Sequence, residues 1–441
     1  MEEQFHVQVK DNSPSIEHIL RPISYTSWLL GVGVARPRKC PKFVTIILRI
    51  IQLVVCSISI ICGMMDALIF TLKSDIFEYI HCVNKVLCYV STYYYVCHGI
   101  RQYDKWPKLM DKIKKLDQKI RRETLMNNRS IKIVEALAIL ATFICCPLAL
   151  IVYALYYSFT YPEEVFVSDL LMHYIIAQSL VNSFVFDVVI YVLYHRFQTI
   201  NKLIGQLDVL SNGPWIALKI RRIRELHTGT CDLVVMVNDI YSLSFLFCSA
   251  NCFTMVLATL FKIYVIVVEK NYAFIVLNNI LFIVYLAQFG LLCWICTLAR
   301  RESDRTGRII YEVMLNCKPV NLDKLDVTGN QSSIEIRPPL EDQESEPNSK
   351  WSSSHNLSYV AMENLLHKNL GQDYVRNEIN DFSIQLQQHR IAFTACDFFE
   401  INNALFSRFV GVIATYLIIF IQFYQQPDLD SSLFQHILKI F

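Results

Sequence analysis

Charge is scarce in this chain: Asp, Glu, Lys and Arg make up 18% of its 441 residues, where a soluble globular protein carries about 25%. Glycine and proline are also few, at 12 and 13, beside 23 Tyr and 27 Phe. That balance excludes a disordered or collagen-like chain. A formal net charge of +2 leaves no bulk basicity for holding nucleic acid. Missing as well are GxSxG, HExxH, a Walker loop and a GxGxxG following a strand, and the His residues are scattered without ligand spacing. No enzyme, catalytic residue, metal site or cofactor is therefore expected.

What the chain has is apolar residues, 54% of the total, gathered into seven uninterrupted runs. They are Phe43 to Leu72, Ile76 to His98, Ile131 to Tyr157, Phe166 to Tyr194, Cys231 to Val268, Tyr272 to Leu298 and Ala404 to Tyr424. Each is long enough to cross a hydrocarbon core of roughly 30 Å as a helix. The fold class expected is all-α, a polytopic membrane protein of seven transmembrane helices. The fifth run reads either as one long helix or as a broken pair. The stretch Ile19 to Val34, interrupted by Arg21 and Pro22, reads as an interfacial helix rather than an eighth span.

Residues 1–42 are charged and polar with four scattered prolines, so no cleavable signal peptide is expected and the first span serves as the insertion signal. Lys and Arg number six before the first span and ten, six and eleven after the second, fourth and sixth. Lys73, Lys270 and Lys439 are the only ones in the opposite loops and the C-terminal tail. A bias of 33 against 3 predicts a cytoplasmic N-terminus and an extracellular C-terminus, the reverse of a G-protein-coupled receptor. Residues 43–298 then form spans one to six with cytoplasmic extensions, 299–403 a cytoplasmic loop, 404–424 the last span and 425–441 an outer tail. The outer loops are too short to build a binding domain, so an external ligand has to be recognised inside the helix bundle.

The inner loops carry their own pattern. Leu109, Ile113, Leu116 and Ile120 recur at 4-3-4 spacing among charged residues, Ile200, Ile204 and Leu207 repeat this after the fourth run, and Val375, Ile379, Phe382 and Leu386 before the last. Three such stripes either pack together as a cytoplasmic helical anchor, with an anchor helix over 372–401, or lie singly on membrane lipid. Between them, 317–357 is rich in Ser, Pro, Glu, Asp and Asn and reads as a disordered insertion. Nearly all of the 15 cysteines lie within spans or on the reducing side, so free thiols are expected, Cys293 and Cys296 included.

Polar residues at membrane depth are the informative ones, because each is costly in lipid unless it meets protein, water or ligand. In the last run Thr415, Ile419 and Gln422 share one stripe, and the Gln422 amide precedes the ring of Phe423 near the outer end. That pair suits a hydrophobic constriction ringed by hydrogen-bonding groups, as in a gate; equally, Gln422 suits a hydrogen bond to a neighbouring helix. Ligand-facing candidates in the outer and middle bundle are Tyr153, Tyr156, His173, Gln178, Asn182, Asn251, Asn278 and Tyr285. Asp66, Asp187, Lys85 and Lys262 are further candidates, for buried ion pairs.

Thr415-Tyr416, five apolar residues and then Gln422-Phe423 resemble the TYhhhhhQF signature of the insect gustatory receptor family, at its place in the last span. Phe382 to Leu386 and Phe393 to Phe399 are also similar to family segments, and the seven spans, inverted orientation and long inner loops fit throughout. The resemblance implies a ligand-gated cation channel, a homotetramer or a heterotetramer with related subunits, in the plasma membrane of sensory neurons, with no G protein required. It implies a pore lined by the last span, a gate at Gln422 and Phe423, and Thr415 and Tyr416 lower down as packing or pore-lining positions, with Ile419 of the semi-polar stripe a further pore candidate. The ligand implied is a small-molecule tastant, sugar or bitter. All five tryptophans lie in inner loops or at inner helix ends. A sugar would have to stack on tyrosine or phenylalanine instead, which tilts the reading toward a bitter or broadly tuned receptor and leaves both open. A metabotropic seven-helix receptor and a transporter are the rivals from other classes, though no internal repeat supports the second.

Overall fold

The computed structural model of the chain describes residues 15–38, 40–70, 76–124, 126, 128–141, 144, 148, 151, 155, 167–207, 213–268, 275–316 and 373–424. These residues are helical almost throughout. In chain order the helices are α1 (Ile16–Ile19), α2 (Arg21–Leu29), α3 (Lys42–Phe70), α4 (Ile76–Arg101), α5 (Lys105–Glu123), α6 (Arg129–Leu140), α7 (Val167–Gly205), α8 (Gly213–Val268) and α9 (Ile275–Asn316). Helix α10 (373–388) follows, then a two-stranded antiparallel ribbon, β1 (Thr394–Ala395) and β2 (Phe399–Glu400), and α11 (Asn403–Tyr424).

Among the described residues, five stretches are long and apolar enough to span a bilayer: Lys42–Cys62, Tyr174–Gly205, Trp215–Val268, Phe282–Met314 and Asn403–Gln422. Helix α4 covers the second sequence run. The third run, Ile131 to Tyr157, lies only partly within the described residues, in α6 and a few positions beyond it. The fifth run is one unbroken helix. At 1.5 Å per residue the 56 residues of α8 are about 84 Å long, far more than a bilayer core needs. Helices α7 and α9 overrun it too, with 39 and 42 residues.

The chain divides into two compact units. The larger comprises Met1–Thr199, Gly229–Ser303 and Ile391–Phe441. Its interior is built on α7, whose Val185, Phe186, Val188, Val189, Ile190, Val192 and Leu193 are all buried. A helix apolar around its whole circumference belongs in the middle of a bundle. Helix α5 instead buries one stripe, the expected Leu109, Ile113, Leu116 and Ile120 together with Trp106 and Met110.

Ile19 to Val34 does not lie as a free amphipathic helix. Helix α2 ends at Leu29, buries the hydroxyls of Ser24, Thr26 and Ser27, and hands over to an inward-running segment, Val32 to Ala35, that is fully buried. Two glycines permit this path. Gly33 has φ +64°, and a Cβ there would run into Asn182; a Cβ on Gly99 would run into the Gly33 carbonyl. The apolar segment is thus covered by protein, which removes the reason for it to seek lipid.

The smaller unit, Ile200–Thr228 and Asp304–Arg390, holds the end of α7, the start of α8, the end of α9 and α10. Ile200, Ile204, Leu207, Ile216, Ile220, Ile223, Ile310, Val313, Val375, Ile379 and Phe382 are all buried. Around that core Arg224 pairs with Glu378 at 3.2 Å and Asp381 at 3.0 Å. Gln385 Nε2 donates to Thr228 Oγ1 at 2.6 Å, and Thr306 Oγ1 to Asn201 Oδ1 at 2.7 Å. The insertion expected over 317–357 lies outside the described residues.

The helix expected over 372–401 ends at 388. Beyond it Ile391, Phe393 and Ala395 are buried while Ala392 is exposed, which is the two-residue period of extended chain and not the helical one. Thr394 pairs with Glu400 and Ala395 with Phe399, and the turn between them holds Cys396 and Asp397 at φ 51° and 60°. Two consecutive left-handed residues are incompatible with a helix.

In the larger unit a buried ion pair joins α5 to α7. Arg196 donates from Nε to Asp117 Oδ1 at 2.7 Å and from Nη2 to Oδ2 at 3.1 Å, while Nη1 reaches Asn128 Oδ1 at 3.4 Å. Burial pushes the Asp117 carboxyl above its usual range, against the pull of the Arg196 guanidinium. Arg196→Met, which strands that carboxylate, is expected to cost about 3–5 kcal/mol, whereas Asp117→Leu with Arg196→Met recovers most of the loss. Thermal unfolding of the detergent-purified proteins decides; a single variant as stable as the parent contradicts the assignment.

Candidate pore helix and intramembrane polar network

Helix α11 starts from a clipped segment. Asn238 on α8 accepts the Thr394 N–H on Oδ1 at 2.9 Å and donates from Nδ2 to Thr394 Oγ1 at 3.2 Å, and Arg300 on α9 pairs with Glu400. The Asn402 side chain caps the first turn of α11 through the Leu405 N–H at 2.9 Å, and the Asn403 N–H is taken by Thr297 Oγ1 at 2.9 Å. The ribbon thus fixes where the last helix begins relative to both α8 and α9.

From there α11 packs along one edge. Successive residues advance about 100°, so Phe406, Phe409, Ile413, Leu417 and Phe420, spaced 3-4-4-3, share a side. Phe409 meets Phe289 with ring centroids 4.5 Å apart and Phe253 at 6.0 Å; Phe420 meets Phe261 at 5.8 Å. Phe406 lies over Gly290, where a Cβ would already touch its ring at 3.4 Å. Edge-to-face and tilted rings at these separations add attraction beyond burial.

The opposite side is uncovered. Ala404, Arg408, Gly411, Thr415, Ile418 and Gln422 are exposed, and nothing approaches the Cβ position of Gly411. Only 6% of the most apolar stretch of α11 is buried, against 78% for α7. Thr415 and Gln422 fall on this open face and Ile419 at its margin, half-buried. Tyr416 lies at the flank between the two: it is 45% exposed, while its ring meets Phe253 on α8 at 5.9 Å and Phe420 on its own helix at 6.4 Å. The Phe423 side chain lies outside the described residues.

The polar candidates do not converge on one point. Gln178 donates to the Leu30 carbonyl at 2.7 Å and to Gln52 Oε1 at 3.2 Å, and Tyr174 donates to the same Gln52 oxygen at 2.8 Å. With Asn182 beside Gly33, these groups hold the inward-running segment after α2. Asn251 belongs to a second network between α4 and α8: its Nδ2 donates to Ser91 Oγ at 2.7 Å, Thr254 Oγ1 donates to Asn84 Oδ1 at 3.0 Å, and Asn84 also touches Met255. Spacings of seven on α4 and three to four on α8 zip two helix faces together. Tyr285 is buried, and its carbonyl accepts from Cys252 Sγ at 3.4 Å. Tyr153 and Tyr156, and the side chains of His173, Asn278 and Asp66, lie outside the described residues.

Asp187 accepts from Gln288 Nε2 at 2.9 Å, an amide partner on α9 instead of the cation expected from sequence. Among the described residues, Asn251 Oδ1, Gln178 Oε1 and Asp187 Oδ1 are buried acceptors with no donor. Sequence reasoning missed Ser91, the Asn238 clip and the aromatic seat of α11. The seat had a signal, the 3-4-4-3 spacing of Phe406 to Phe420; the other two had none.

Long apolar helices zipped by side-chain amides and hydroxyls define a polytopic α-helical membrane protein. The chain belongs to the 7tm chemosensory receptor family, whose description matches residues 20–325 and 362–427. No curated protein matches it. Among solved structures it is similar to the insect olfactory receptor OR5 from Machilis hrabei, at 13% identity and a TM-score of 0.54, over 92% of this chain and 98% of that one. The same receptor in complex with eugenol is similar at 14% identity and a TM-score of 0.55, over 91% and 97% of the two chains. The likeness is one of fold.

Asn251→Ala removes a donor from Ser91 and is expected to lower stability by about 1 kcal/mol, the usual size of an interhelical hydrogen bond in a membrane. Ser91→Ala on that background should then cost little more. Additive losses in detergent unfolding would show that the two side chains are not coupled.

Proposed function

We propose that the chain is a gustatory receptor acting as a ligand-gated, non-selective cation channel for a small-molecule tastant. The observation that carries this reading is the uncovered face of α11. An apolar helix seated by one aromatic edge, with Gly411, Thr415 and Gln422 on its other side, suits a water path between copies better than lipid alone. The TYhhhhhQF signature on the same helix supports it independently. In this reading four copies, identical or related, set the open faces of α11 around an axis. Gln422 and Phe423 form the outer gate, Thr415 and Ile419 line the path below, and Tyr416 holds the helix to α8.

The charge bias of the loops supports a cytoplasmic N-terminus, an extracellular C-terminus and a cytoplasmic position for the smaller unit. The tastant then enters from outside, binds within one subunit's bundle and drives opening by its higher affinity for the open conformation. Asn251 is the strongest of the described ligand candidates: its Oδ1, like Gln178 Oε1, is a buried acceptor lacking a donor among the described residues, but the Gln178 amide already holds the Leu30 carbonyl and Gln52. Tyr153, Tyr156, His173, Asn278 and Tyr285 remain proposed contacts. Gln178 and Asn182 are proposed as supports of the bundle. A structurally similar receptor solved in complex with eugenol makes small phenols a first panel beside sugars and bitter compounds. The site of action is the plasma membrane of sensory neurons.

The test is ligand-evoked current in excised patches free of nucleotides and G proteins, from cells expressing this chain. Gln422→Ala and Phe423→Ala are each expected to alter gating, as leak or as a shifted ligand response, with surface expression unchanged. Normal currents from both variants remove these residues from the gate. Current that disappears on excision and returns only with G protein and nucleotide would favour a metabotropic receptor.

A further inference from the structure

In the larger unit the segments before the first span and the start of α5 border a half-open cavity of about 190 Å³, lined among others by Glu17, Arg21, Tyr25, Arg36, Arg38 and Trp106. Three arginines line one small volume. Arg21 is steered by Tyr25, with its guanidinium carbon 5.4 Å from the ring centroid and Nη2 3.4 Å from the hydroxyl. The Arg36 guanidinium carbon sits over the Tyr103 ring, 3.6 Å from its centroid, and Nε donates to the Tyr103 carbonyl at 3.3 Å, which leaves its two terminal nitrogens without a hydrogen-bond partner among the described residues. Arg38 is shared between Glu17 at 3.3 Å and Asp111 at 3.0 Å, and all three side chains of that cluster are solvent-accessible.

The charge of the lining is therefore positive after its one carboxylate is counted, and two of its three arginines have no acidic partner among the described residues. We propose that this cavity binds the phosphorylated headgroup of an inositol phosphate, presented by a phosphoinositide of the adjoining leaflet. Planar forks held in place by aromatic rings suit the oxygens of a phosphomonoester better than a flexible lysine would. The position suits a lipid source. Arg36 and Arg38 lie four to six residues before Lys42, where the first membrane helix α3 begins, so at most about 3.6 Å per residue separates them from the bilayer surface. Basic pockets at that depth on the cytoplasmic side take anionic headgroups. The phosphoinositide source rests on the cytoplasmic N-terminus proposed above; the recognition chemistry does not.

The test uses the purified full chain in detergent and in nanodiscs, where both leaflets are accessible. Binding is read by native mass spectrometry for a bisphosphorylated phosphoinositide, phosphatidylserine and phosphatidylcholine, and by thermal shift for a soluble inositol trisphosphate. The phosphoinositide is expected to bind in preference to the other two lipids, with competition by the soluble headgroup. Stabilisation by the soluble compound without retention of the lipid assigns the same site to a cytosolic inositol phosphate. Arg21→Glu, at an exposed position, and Arg36→Gln should each weaken binding at least about tenfold, the loss of one charge-assisted contact. Glu17→Gln should strengthen it, and Arg308→Gln, an exposed arginine outside the cavity, should leave it unchanged. Binding that follows lipid charge alone, or that Arg308→Gln lowers as much as Arg21→Glu, overturns the proposal. An N-terminal epitope stained only after permeabilisation establishes the orientation separately, so a misplaced N-terminus and an absent site give different results.

Discussion

The seat of α11 on Phe253, Phe261 and Phe289 is the contact on which the functional account turns. In hydrocarbon no hydrophobic effect drives helices together, so a helix is held by shape and by side-chain hydrogen bonds. The inner helix α7 has both, with its circumference buried and Asp187 bonded to Gln288. The last helix has shape on one edge alone. In the proposed channel, water and symmetry mates cover the remainder of α11, where Gly411, Thr415 and Gln422 lie beside the exposed Ile418.

The same helix is tied at its N-terminal end to the two longest helices. Asn238 of α8 and Arg300 of α9 both grip the ribbon that leads into it, and Asn402 and Thr297 fix its first turn. A shift of α8 against α9 has to be absorbed by this short connector or passed on to α11. In the proposed channel, ligand binding within the bundle and opening of a path along α11 are linked through this connector without a separate signalling domain. The α4–α8 polar network, with Ser91, Asn84, Asn251 and Thr254, sits along the same helix as the clip.

Most of this architecture is legible from residue pattern, because long apolar runs and 3-4 stripes are set by two strong forces, the cost of peptide groups in lipid and the burial of one helix face. The α5 stripe and the semi-polar stripe of Thr415 and Gln422 on α11 are direct readings of that kind. The ribbon is not. Ile391, Phe393 and Ala395 offer only three alternating positions, and neither Cys396 nor Asp397 is the glycine that usually marks a left-handed turn. The path of Val32 to Ala35 was obscured in the same way: an apolar segment flanked by Arg and Pro reads as surface-lying until Gly33 and Gly99 are seen to let it pass inside. Amide partners such as that of Gln178 depend on which helices are neighbours, which a linear pattern does not encode.

The central claim is that the open face of α11 meets the same face of other copies. Thr415→Cys, in a background without other accessible thiols, measures this most directly through disulfide formation in native membranes under mild oxidant. The account predicts linked dimers under oxidant in an assembly whose mass is that of four chains. A particle of one chain's mass, with the cysteine at 415 uncrosslinked and labelled only by lipid-soluble reagents, would contradict it.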